Sequence, residues 1–118
     1  MEEKYHLSQR AVAEVLGTAL LVLVGPGSVV ATLVLSGKST PAVTGADLLG
    51  ISFAFGLIIT AVVYALGKVS GCHINPAVTL GFVLSRKISV ALAVYYWVAQ
   101  FIGAVIGGLI IYLSLIHI

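Results

Sequence analysis

The residues best able to do chemistry lie in one run, Ser70-Gly71-Cys72-His73-Ile74-Asn75-Pro76-Ala77-Val78-Thr79, inside an otherwise apolar chain. Asn75 is the only asparagine. Asn is a favoured helix N-cap, and Pro suits the first helical position, where its missing N–H is not needed. Asn75-Pro76 therefore predicts a helix start. Ser70 to His73 favours no regular element, so the run reads as irregular backbone entering a helix. Ser70, His73 and Glu14 match no hydrolytic motif. A single cysteine excludes an internal disulfide and a cysteine-based zinc site. No enzymatic role, metal or cofactor is expected.

The surroundings of this run decide what it can do. Of 118 residues, 60% are hydrophobic and 8% charged, with mean hydropathy +1.18. A soluble domain carries about a quarter charged residues, so an integral membrane protein is predicted. The net charge of +2, with no patch of basic residues along the chain, gives no reason to expect nucleic acid. Residues 1–10 form a polar tail. Ala11–Leu35 is apolar apart from Glu14 and long enough to cross a bilayer core of ~30 Å. It is too long for the apolar core of a signal peptide and is read as a retained span, with Pro26 a potential kink. Residues 36–46 have loop composition, and Asp47 is a candidate cap for the next span, Leu48–Leu66, which Gly67-Lys68 ends. Val90–Tyr112 is the third span.

The segment between the second and third spans, residues 68–85, is different. From Pro76 to Ser85 the chain can make about ten helical residues, some 15 Å, or half the bilayer. Lys4 and Arg10 flank one end of the first span. Lys68, Arg86 and Lys87 flank the short segment, and Lys38 alone lies in the first loop. The positive-inside rule then predicts a cytoplasmic N-terminus and a short helix that starts and finishes on the cytoplasmic side, a re-entrant half-helix. Non-helical backbone at membrane depth is tolerated only when packed in protein or lining a wet cavity. The predicted fold class is an all-α membrane protein with three spans and one half-helix.

The run SGCHINPAVT follows a span, and Glu14-x-x-Gly17-Thr18 opens an earlier one. With Ala54-Phe55-Gly56 and the stretch Ala99 to Ala104, these motifs resemble the aquaporin, or major intrinsic protein, family, and its microbial members in particular. The resemblance covers most of the chain and implies a passive water channel in the plasma membrane, homotetrameric when full length. It implies that the half-helix points its positive dipole end at the midplane, repelling cations, and that Asn75 caps it while its amide donates to passing water. Asn75, Pro76 and Ala77 would form the motif at the pore. Carbonyls of Gly71, Cys72 and His73 would form an acceptor ladder opposite an apolar wall that includes Ile59. Phe55 would contribute to the outer selectivity filter, where phenylalanine accompanies water-selective members. A mercurial is expected to block flux through Cys72.

The other residues carry two readings each. Glu14 and Gln100, polar groups within spans, are functional candidates by default. The resemblance makes them supports of the re-entrant loop, Glu14 accepting backbone N–H bonds near His73. Phe55 is otherwise a core aromatic, His73 a packed histidine and Cys72 an inert buried thiol. Gly17, Gly56, Gly81, Gly103 and Gly107 are read as helix-crossing contacts. One departure matters. Family members have two inverted halves with a motif in each, and this chain holds the first only. Leu113–Ile118 matches the translation of a transposon-end sequence, so 113–118 is expected to be a non-native tail on a truncated gene. Alternatives to a water channel are a channel for glycerol or other neutral solutes, a secondary transporter with discontinuous helices, and a non-conducting fragment.

Overall fold

A computed structural model describes residues 4–34 and 43–115. Four helices follow in order: α1 (Leu7–Val34), α2 (Gly45–Ser70), α3 (Pro76–Leu84) and α4 (Val90–Leu115). Three of them, α1, α2 and α4, are long and apolar enough to cross a membrane. At 1.5 Å per residue the 26 residues of α2 span about 39 Å, more than the ~30 Å core. The nine residues of α3 span about 14 Å and cannot cross it. α1 packs against both α2 and α4, and α3 packs on α4.

The helix ends depart from those expected, each for a local reason. α2 is capped by Thr44, whose hydroxyl accepts from the Asp47 N–H, while the Asp47 carboxylate accepts from the Thr44 N–H. Asp47 is thus the third-position partner in a capping box, not the cap. At its other end α2 runs past Gly67-Lys68 to Ser70. Lys68 is a favourable last-turn cation, and the true stop is Gly71 at φ 86°, whose N–H closes on the Gly67 carbonyl at 2.9 Å. α1 begins at Leu7, earlier than the expected Ala11, and continues through Pro26. α4 continues to Leu115, so Leu113 and Ser114 are helical. Residues 116–118 and most of the expected first loop lie outside the described residues.

Close helix crossings hold the long helices together. A Cβ on Gly107 would stand 2.6 Å from the Ala19 carbonyl oxygen, and one on Gly103 would overlap the Val15 carbonyl. These two glycines, one turn apart, let the α4 backbone lie directly on α1. A Cβ on Gly17 would stand 2.6 Å from Ile74 Cγ2 and 3.0 Å from Val62. The expectation of helix contacts at Gly56 and Gly81 does not hold within this chain: both face open space, because no described element lies beside them.

Candidate functional site

The stretch from Gly71 to Asn75 leaves α2 and enters α3 through an unusual backbone. Cys72 (φ 50°) and Ile74 (φ 45°) sit in the left-handed region, which a β-branched residue rarely adopts. Such a conformation persists only where its surroundings over-determine it. Here the determinant is Glu14, fully buried on α1. Its Oε1 accepts from Ser70 Oγ at 2.6 Å and from the His73 N–H at 2.9 Å. Its Oε2 accepts from the Ile74 N–H at 2.7 Å and from Gln100 Nε2 at 2.9 Å. Each oxygen therefore accepts from two donors. Ser70 Oγ in turn accepts from the Cys72 N–H at 3.0 Å.

A second layer ties the same segment to α4. Gln100 Nε2 also donates to Thr79 Oγ1 at 2.9 Å, linking α1, α3 and α4 through one amide. Thr79 Oγ1 meets His73 Nδ1 at 3.1 Å. The His73 ring stacks on Phe82, 4.4 Å between centroids, and meets Tyr96 edge-on. The Tyr96 hydroxyl donates to the Ser70 carbonyl and accepts from Arg10 Nε at 3.0 Å. Trp97 Nε1 donates to the Pro76 carbonyl at 3.1 Å. Tyr96 and Trp97 are not among the residues expected from sequence. The available signal was position: Tyr96 precedes Gln100 by one helical turn and shares its inward face.

With the N–H groups of Cys72, His73 and Ile74 turned inward, the carbonyls are left over. Among the described residues no donor of the chain reaches the carbonyls of Gly71, Cys72, His73 or Ile74. Asn75 caps α3 by accepting the Ala77 N–H at 2.8 Å, which fixes Oδ1 and directs Nδ2 away from the helix. Asn75, Pro76, Ala77 and Gly71 are exposed, and Nδ2 has no acceptor among the described residues. The loop therefore offers acceptors and one amide donor at the end of a short helix, whose partial positive charge lies there too.

The expected site residues divide into two groups. Glu14, Gln100, His73, Cys72, Gly71, Asn75, Pro76 and Ala77 come together around this loop. Phe55 and Ile59 lie on α2; the Phe55 ring is packed over Gly25 of α1, where a Cβ would stand 2.7 Å from Cε1, and Ile59 is exposed. Two side chains differ from the expected pore lining. Cys72 is 7% exposed and shares an apolar cluster with Val62 and Ile74, against Leu21, Ile58 and Leu66. Its thiol is a packed one, because the left-handed turn at Cys72 directs the side chain inward. His73 is 5% exposed and its ring is enclosed by Phe82, Tyr96 and Thr79, so its route to any path is also chiefly its carbonyl.

The family model described as Major intrinsic protein matches residues 1–117. Aquaporin AqpM of Methanothermobacter marburgensis is 43% identical over 114 residues, covering 88% of this chain and 46% of that protein. Aquaporin-4 of Mus musculus is 46% identical over 101 residues, covering 86% of this chain and 30% of that protein. Aquaporin NIP2-1 of Oryza sativa is 39% identical over 106 residues, covering 90% and 33%. The chain spans about half, or less, of the length of these curated relatives.

Proposed function

The chain belongs to the major intrinsic protein family, and from that premise we propose that it is the N-terminal half of a passive membrane channel for water. The observation that carries this reading is the loop's division of labour. Glu14 and Ser70 consume the N–H groups, and the carbonyls of Gly71 to Ile74 and the Asn75 amide have no partner among the described residues. Backbone of this kind at membrane depth needs a wet path. Water passing the row of acceptors meets Asn75 Nδ2 as a donor beside the positive end of α3, an arrangement that orients a single file and opposes cations. Phe55 serves as an aromatic at the outer constriction and favours water over glycerol. A cytoplasmic N-terminus, the plasma membrane and a homotetramer of full-length subunits belong to the same reading.

Glu14 has no transport role in it. A coupling carboxylate must exchange its proton or ion, whereas Glu14 is occupied by four donors. This favours a channel over a secondary transporter.

A chimera tests the proposal. Residues 1–112 are joined to the C-terminal half of the M. marburgensis aquaporin and reconstituted into liposomes, alongside the unfused chain. Stopped-flow light scattering then follows shrinkage in sucrose and in glycerol gradients. Water flux well above that of empty liposomes, without matching glycerol flux, is expected of the chimera. A folded chimera no faster than empty liposomes would sink the reading. Glycerol flux as fast as water flux would replace the proposed selectivity.

A further inference from the structure

The basic residues are dispersed along the chain, yet four of the six Lys and Arg side chains line one cavity. The cavity, about 370 Å³, opens where the start of α1, the end of α2 and the turn after α3 converge. Lys4, Arg10, Lys68 and Lys87 surround it, with Gly71 and His73 at its floor. Among the described residues no carboxylate lines it and no ion pair holds Lys4, Lys68 or Lys87. Aromatic rings lie beside two of these lysines. Lys87 Nζ stands 5.7 Å from the centre of the Phe82 ring, and Lys4 Nζ 5.7 Å from that of Tyr5. The Arg10 guanidinium lies over Tyr96, whose hydroxyl accepts from its Nε. The positive-inside bias accounts for basic residues at this end of the helices; it does not require them to face one cavity. Lys4, Lys68 and Lys87, brought to one cavity, repel one another unless an anion joins them.

We propose that this cavity binds a phosphate-bearing anion. Its volume, room for about a dozen waters, exceeds a lone phosphate and suits a hydrated phosphate or a phosphorylated headgroup. Lysine and arginine are the residue types that recognise phosphate, and basic pockets between membrane helices take anionic headgroups. Binding is independent of the channel reading. Its consequence, a charged obstruction beside Gly71 and His73 at the mouth of the water path, rests on that reading.

The test uses the detergent-solubilised chain and two probes. Inorganic phosphate is titrated by calorimetry against chloride at equal ionic strength, and phosphatidylinositol 4,5-bisphosphate against phosphatidylcholine is followed by native mass spectrometry. Saturable binding of inorganic phosphate identifies a soluble ligand. Retention of the phosphorylated lipid alone identifies a headgroup. Both outcomes support the site. Each Lys→Gln change at Lys68 or Lys87 should weaken binding about fivefold, and the double variant about twenty-five-fold. Lys68→Arg with Lys87→Arg should retain it. Arg86→Gln, which removes a neighbouring charge outside the cavity, should change it less than twofold. Circular dichroism checks that every variant keeps its helix content, and the single Lys68→Gln variant at the exposed end of α2 is read independently of the double one. Absence of saturable binding with both probes overturns the proposal, as does an Arg86→Gln loss equal to that of Lys87→Gln.

Discussion

Replacing Glu14 by Gln changes one heavy atom and should release the loop. In the native chain both carboxylate oxygens accept, Oε1 from Ser70 Oγ and the His73 N–H, Oε2 from the Ile74 N–H and Gln100 Nε2. A glutamine keeps one acceptor oxygen and puts an NH2 group where the other stood. Two donors then lose their partner and face a donor. Hydrogen bonds to a charged group contribute about 1.5–3 kcal/mol each, so the gross loss is roughly 3–6 kcal/mol. Removing a buried charge offsets part of this. A net cost of roughly 2–4 kcal/mol is expected, which corresponds to about thirty- to several-hundred-fold in the equilibrium for opening the loop. Hydrogen exchange at the His73 and Ile74 amides reads that equilibrium directly, with amides in the middle of α4 as an internal reference. Glu14→Ala, which leaves all the donors without an acceptor, should exceed the Gln variant. Native exchange rates at His73 and Ile74 in Glu14→Gln would refute the assignment of Glu14 as the group that holds the loop.

Gly107→Ala should lower thermal stability in detergent by roughly 1–3 kcal/mol, because the added methyl meets the Ala19 carbonyl. Gly56→Ala and Gly81→Ala should be neutral or stabilise this chain by roughly 0.5–1 kcal/mol, since each gains helix propensity in open space; equal losses at all three sites would contradict the described crossings. The Cys72 thiol should react with a bulky maleimide at least about tenfold more slowly in the folded chain than in the unfolded one, as buried thiols are inert. Equal rates would show that it is not packed, and rapid mercurial block of the chimera, abolished by Cys72→Ser, would restore it to the pore. Asn75→Ala should cost α3 about 1 kcal/mol through the lost cap, whereas Asn75→Asp keeps the cap and the helix but removes the donor. In the chimera the Asn75→Asp change should therefore lower water flux without lowering helix content, and unchanged flux would remove the amide from the proposed mechanism.

Much of the site is readable in the sequence because a few residue types have few uses in a membrane. An Asn-Pro pair inside apolar sequence signals a helix start, and ten residues before a basic stop cannot span a bilayer. The acid in α1 and the amide in α4 had to find polar partners, and they found the same loop. The limits are equally physical. Helix ends shift because Lys68 stabilises a last turn and does not terminate it, and because Thr44 rather than Asp47 carries the cap. Periodicity does not reveal side-chain direction at left-handed residues, so the Cys72 thiol, expected on a water path, turns instead into the apolar cluster. The converging cations are hidden for a related reason: Lys4 and Lys87 are far apart in sequence and meet only through the fold.

The position of Glu14 also bears on how the chain enters a membrane. Of the described helices α1 is made before the others, and it carries a carboxylate whose donors lie on Ser70, His73, Ile74 and Gln100, all synthesised later. Until they arrive, the acid adds roughly 2.5–3.5 kcal/mol to the cost of insertion if it sits at the bilayer centre. The most apolar 18-residue stretch of its helix has a mean hydropathy of 1.9 and still favours insertion. The preferred state of a lone α1 is nonetheless one shifted toward the interface, with Glu14 kept near water. Settling to its final depth then waits for α4, the last of the described helices to be made, so the order of synthesis and the order of burial run in opposite directions.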